Sequence, residues 1–166
     1  MVILQNLPTM EINKEGIMDI NIMLKALYSK DTSEAYKILL ELEKISEKED
    51  FLYNYFDEFS QMIDNEKYVI RVRGYRLLCK QAKWDKENKI DNIIDKILRE
   101  IEDEKPTAVR MKLKSLEDIV LNKKELNGKI KKKILKMDCS KYKDTMQPLI
   151  LKDIENVLIL IDETGK

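Results

Sequence analysis

The chain has 166 residues, with 31 basic and 31 acidic side chains, 43 % apolar residues, four glycines, three prolines, two cysteines and no histidine. That is one domain's worth of sequence, and high charge with scarce glycine is the composition of a helical globular protein rather than a sheet protein or a disordered one. Without an imidazole, Ser–His and Cys–His nucleophile pairs, histidine-ligated zinc and histidine general bases are excluded.

The opening MVILQNLPTM has a four-residue apolar run and no basic region before it, so it does not read as a signal sequence. Apolar residues then recur at helical spacing, and the breaks between periodic stretches divide the chain into about eight helices. The first is expected near 14–29, with Ile17, Ile20, Met23, Leu24 and Leu27 on one face. Asp31, Thr32 and Ser33 form a cap before a helix over 33–47 that turns Leu39, Leu42 and Ile45 inward. A third helix is expected over 51–64 with Leu52, Phe56, Phe59 and Ile63 inward, and a fourth over 66–83 with Val69, Ile70, Leu77 and Leu78.

The fifth, about 87–102, carries Ile90, Ile93, Ile94, Ile97, Leu98 and Ile101, a stripe wide enough to be buried from more than one side. Pro106 pre-sets the start of the sixth, which runs to about Asn122 through Val109, Leu113, Leu116, Ile119 and Val120. A short basic helix over 125–137 and a last one over 145–162 complete the set. Lys152, Asp153, Glu155 and Asn156 interrupt the apolar run from Leu149 to Ile161, so this last helix is not a membrane span. Cys79 and Cys139, without a CxxC pair or a dense cysteine framework, read as reduced thiols, and a cytoplasmic protein follows.

Four of these helices superpose by spacing. Ala35, Ile70, Val109 and Ile150 align at separations of 35, 39 and 41 residues, and Leu42, Leu77, Leu116 and Val157 align at the same separations. The unit is a helix, a turn, a second helix and a short break, and one such pair cannot bury its apolar faces alone.

DEKPTAVRMKLKSL at 103–116, with Asp103, Pro106, Val109, Arg110, Leu113 and Leu116, resembles the first helix of a HEAT repeat. NEKYVIRVRGYRLL at 65–78 is similar, with Ile70 and Arg71 in the Val-Arg place and Gly74 where helices pack closely. The first unit departs from the pattern, with Tyr36 in the arginine position and no proline. The resemblance implies an all-α fold, a right-handed α-α superhelix (α-solenoid) of about three HEAT-like helix pairs at 31–65, 66–104 and 105–140. The segment 1–30 and the helix at 145–162 would flank them in a single domain. It further implies a non-catalytic scaffold for a protein partner, with binding of a nucleic-acid backbone as the alternative and no cofactor.

Charge is unevenly spread: residues 1–66 carry 6 basic and 14 acidic side chains (net −8), 67–143 carry 23 and 12 (net +11), and 144–166 carry 2 and 5 (net −3). The densest basic run is Lys129, Lys131, Lys132, Lys133 and Lys136. In the HEAT arrangement second helices line the concave face, which would set these lysines near Lys89, Lys96 and Arg99 as an anion-binding trough; the competing reading is a solvated helix face diluted by Asp91, Asp95 and Glu125.

Arg71 and Arg110, at equivalent repeat positions, read as struts between stacked units, whereas Arg73 and Arg76 are expected to face solvent or a partner. Tyr53 and Tyr55 fall off the apolar stripe of their helix and are candidate partner contacts, or else cover the core edge with hydroxyls in water. Trp84 reads as a plug between units and Cys79 as a buried, inert thiol. On the last helix Leu149, Leu151, Ile159 and Leu160 exceed what a terminal helix should show to water. Leu151 and Ile159 are therefore candidates for contact with Val2, Ile3 and Leu4, with a partner, or with a second copy in a homodimer.

Overall fold

The computed structural model describes residues 19–166, which form eight α-helices and no strand. Val2, Ile3, Leu4 and the start of the helix expected from residue 14 lie outside the described residues. The helices are α1 (Ile20–Ala26), α2 (Thr32–Lys48), α3 (Phe56–Met62), α4 (Tyr68–Lys80), α5 (Lys89–Arg99), α6 (Pro106–Asn122), α7 (Asn127–Leu135) and α8 (Gln147–Thr164). Short 3-10 turns precede α3 (Phe51–Tyr55) and α7 (Lys124–Leu126), and another follows α4 (Gln81–Trp84).

Local chemistry sets the boundaries. The Asp31 carboxylate accepts from the Ser33 and Glu34 amides and so caps α2, and Pro106 occupies the first residue of α6, where a missing N–H costs nothing. Asn88, the one non-glycine residue with positive φ among the described residues, breaks the chain ahead of α5. The two free amides at Lys89 and Ile90 are taken by the Asp85 carboxylate at 2.8 and 3.0 Å.

The helix expected over 51–64 is split. Its first turn is 3-10, and a period of three residues per turn places Tyr55 on the same side as Leu52 rather than off the stripe. Both are buried, so Tyr55 is a core residue and not an exposed partner contact.

α2 lies against α4, α4 against α6 and α6 against α8, in chain order, while α3 packs on α4 and α7 on α8. All eight residues of the two superposed sets, Ala35, Ile70, Val109 and Ile150 with Leu42, Leu77, Leu116 and Val157, are buried in this stack. α5 approaches its neighbours less closely and is joined to them by long side chains: the Tyr75 hydroxyl donates to the Ile97 carbonyl, and the Lys112 ammonium to that of Glu100.

Gly74 marks the tightest crossing. A methyl group there would collide with the Met62 side chain and press on the Phe59 carbonyl, whereas a methyl at Gly128 in α7 would meet nothing. Gly74→Ala is expected to lower stability by about 1–3 kcal/mol through overpacking, and Gly128→Ala to leave it unchanged or raise it by up to ~1 kcal/mol. Urea denaturation of the two variants beside the parent checks both; equal stability of all three would contradict the close α3–α4 contact.

Candidate functional site

The charged residues of the stack are mostly committed to one another. Arg71, on α4, donates through Nε and Nη2 to Asp103 at 2.9 and 3.1 Å and through Nη1 to the Asn65 and Glu66 carbonyls. Lys112, wholly buried on α6, reaches the same carboxylate at 3.0 Å. Burial pushes the Asp103 carboxyl up, but hydrogen bonds from Arg71, the Lys105 amide and Lys112 outweigh it and bring it down to about 2. Arg110 pairs with Asp153 of α8 at 2.6 Å, so both repeat-position arginines join successive first helices or the turns before them.

Arg73 departs from the expectation that it faces solvent or a partner, whereas Arg76 is only partly covered and lines the groove over α4. Arg73 is buried and donates to the Leu27 and Ser29 carbonyls, which closes the α1–α2 connection onto α4. Arg76 is half-buried and meets Glu43 through two nitrogens at 2.6 and 3.1 Å. Neither contact was legible from the sequence, because the surface of α4 is covered from both sides, by α1–α2 and by α6.

A broad depression lies over α2, α4 and α6. It is a groove of about 590 Å³ running over α4 between α2 and α6, with Asp153 of α8 at one end. Tyr36, Met111 and Leu121 line it as exposed apolar side chains. An apolar side pocket of about 170 Å³ continues from it past Tyr68, Val69 and Val72. Six of the groove's eight charged residues are paired, Glu43 with Arg76, Lys80 with Asp118 (and with Glu47 beside the groove) and Arg110 with Asp153, while Lys114 and Glu117 make no ion pair among the described residues. Burial pushes the Asp118 carboxyl above its ordinary range despite Lys80. Sequence reasoning missed this groove, since Tyr36 stood out there only as a departure from the arginine position.

The residues singled out for binding divide into separate groups. Tyr53 is half-buried, and its hydroxyl donates to Asp85 at 2.7 Å, so it is a strut of the α5 cap rather than a presented ring. Lys89 lies over the Tyr53 ring and near Asp57 and Glu87, and Lys96 bridges to Asp64 at 2.6 Å and the Ser60 carbonyl, so both point back toward the first pair. Arg99, Lys129, Lys132, Lys133 and Lys136 do converge, around a furrow of about 290 Å³ between α5 and α7. The hydrogen bond from Lys133 holds the neighbouring Glu102 carboxyl below its ordinary range against its partial burial. Leu149, Leu151 and Ile159 are exposed on α8, while Leu160 is half-buried.

Trp84 is half-buried and donates to the Ser46 carbonyl, joining the turn after α4 to α2. Cys79 is buried, and burial pushes its thiol well above the ordinary range, which keeps it in the unreactive protonated form. Among the described residues no three or more Cys, Asp or Glu side chains converge in an arrangement able to hold a metal ion, and no helix is long and apolar enough to cross a membrane. Comparison with protein-family models, with curated proteins and with solved structures finds no match to this chain.

Two arginine variants separate a buried strut from a surface one. Arg71→Ala is expected to cost about 2–4 kcal/mol because it strips a buried carboxylate of its bidentate partner, and Arg110→Ala about 1 kcal/mol because its pair is partly solvated. Chemical denaturation at neutral pH measures both, and a larger loss for Arg110→Ala would reverse the assignment.

Asp103 sets an acid limb of stability. Its folded carboxyl lies below the unfolded value, so its contribution is fully present above about pH 4 and is lost as pH falls toward 2, a loss of ~2 kcal/mol. In Asp103→Asn stability should be lower at neutral pH, because Lys112 is left buried without a carboxylate, and this acid limb should be correspondingly shallower. Denaturation midpoints across that pH range test it; parallel curves for parent and variant would refute it.

Proposed function

We propose that the chain is a short right-handed α-solenoid of three HEAT-like helix pairs, flanked by α1 and α8, that serves in the cytoplasm as a non-catalytic binding scaffold for another protein. The groove over α4 carries this reading. Tyr36, Tyr68, Met111 and Leu121 are exposed around it, while most of its carboxylates and cations, Glu43 with Arg76, Lys80 with Asp118 and Arg110 with Asp153, are occupied with one another. A surface with exposed aromatic and thioether anchors and mostly paired charges is suited to apolar contact with a partner. Binding of a nucleic-acid backbone by the furrow cations is the competing reading; the furrow residues include no aromatic side chain for base stacking, and the net −8 of residues 1–66 opposes a long polyanion.

Tyr36→Glu combined with Met111→Glu is expected to leave the melting temperature unchanged, since both side chains are exposed. It should weaken binding of the protein recovered with the parent chain from native cell extract by roughly 30-fold or more. Quantitative pulldown with parent and variant measures this; equal recovery would remove the groove from the interface. The same reading extends to α8, where Leu149, Leu151 and Ile159 are suited to a homodimer contact. Light scattering should then give two chain masses for the parent and one for Leu151→Glu with Ile159→Lys, and a monomeric parent would exclude self-association through α8.

A further inference from the structure

The furrow between α5 and α7 gathers cations that the protein itself does not neutralise. Asp95, Leu98 and Arg99 form one wall, and Lys129, Lys132, Lys133 and Lys136 the other. Two of the five cations are spoken for: Lys129 meets Asp95 at 3.1 Å, and Lys133 meets Glu102 at 2.6 Å. Arg99 has only Glu100 at 3.6 Å, outside hydrogen-bond distance, and Lys132 and Lys136 reach no carboxylate among the described residues. Neighbouring cations are paired instead, Lys96 with Asp64, Lys131 with Asp162 and Lys141 with Glu102. The C-terminal ends of α5 and α7 help to hold Arg99, Lys132 and Lys133, because their exposed carbonyls favour positive charge, but that partial charge offsets only part of the mutual repulsion.

We infer that this furrow binds a short, extended acidic segment of a protein partner. Lys129, Lys132 with Lys133, and Lys136 recur once per helical turn, about 5.4 Å apart. Alternate side chains of an extended peptide are about 6.7 Å apart, a mismatch that flexible lysine stems absorb. The α5 wall supplies a second criterion: Leu98 between Asp95 and Arg99 is apolar, which suits a small apolar side chain between carboxylates and offers nothing to a phosphodiester. The third criterion is range. A segment that carries its charge only within the furrow avoids Asp57 and Asp64, which lie against Lys89 and Lys96 of α5 and which a duplex extending along that helix would meet. The choice of a peptide rests on the protein-binding reading, but the site lies on different helices from the groove over α4, so variants at one leave the other intact.

Fluorescence anisotropy with a labelled peptide of alternating Glu and Ala, and with short single-stranded and duplex DNA carrying the same label, tests the assignment. The peptide should bind at low salt and weaken as salt rises to the physiological range. Lys132→Glu with Lys136→Glu should weaken it at least about tenfold, Arg99→Gln should weaken it less, and Lys37→Glu with Lys44→Glu on α2 should leave it unchanged. All five side chains are exposed, and thermal melts confirm that the variants fold. No peptide binding at low salt, or equal weakening by the α2 pair, would overturn the furrow as a site. Tighter binding of either DNA that is lost in the furrow pair would overturn the peptide in favour of a nucleic acid, and the protein-binding reading of this face with it. Loss of groove binding in Tyr36→Glu with Met111→Glu, by contrast, leaves the peptide result untouched.

Discussion

A single buried carboxylate organises the middle of this molecule. Asp103 sits between α5 and α6, receives Arg71 from α4 and Lys112 from α6, and offers its backbone carbonyl to the Tyr142 hydroxyl from the segment leading to α8. Lys112 could not be buried without it: an isolated ammonium in the interior costs several kcal/mol, and the pairing with Asp103, the Glu100 carbonyl and the face of Tyr75 offsets that cost. Because each partner comes from a different element, the cluster selects one relative placement of those elements, which apolar contact alone would specify less sharply.

The other end of α5 has a matching device. Asp85 accepts from the Lys89 and Ile90 amides, from the Tyr53 hydroxyl and from Lys123 at 3.2 Å. Lys123 also reaches Asp91 at 2.6 Å and the Asn88 side chain at 2.8 Å. α5 stands off from the row of first helices, so it is fixed by an acid at each end and by Ile90, Ile94, Ile97 and Leu98 along its length. This arrangement explains why charge is abundant in the interior connections and why the polar residues that define helix ends also bind neighbouring pairs to one another.

The two surface features follow from how the helices are spaced. α2, α4 and α6 in side-by-side contact leave a broad groove, and most of its charges are close enough to satisfy each other. α5 and α7, set further apart, leave a furrow in which lysines of α7 and its C-terminal end face Arg99 of α5 with few acids between them. One surface is therefore apolar and internally neutral, the other cationic, and they suit different parts of a partner.

The sequence by itself determined the helices and which residues they bury. The 3.6-residue period of Leu42, Leu77, Leu116 and Val157, the cap at Asp31 and Pro106 at the start of α6 are local signals, and local signals survive without knowledge of the neighbours. Arg71 and Arg110 were legible as struts because their repeat position implied a neighbour on one side. Tyr55 was misread, since a 3-10 turn sets it in line with Leu52 whereas α-helical spacing would turn it about 60° to one side, and the sequence pattern does not distinguish the two over five residues. Arg73 was misread because its burial depends on the α1–α2 connection folding over α4. The convergence of Arg99 with the α7 lysines, the separation of Lys89 and Lys96 from them, and the groove over α2, α4 and α6 were decided only by the tertiary structure. Each depends on the distance between helices remote in sequence, a quantity that hydrophobic periodicity does not encode.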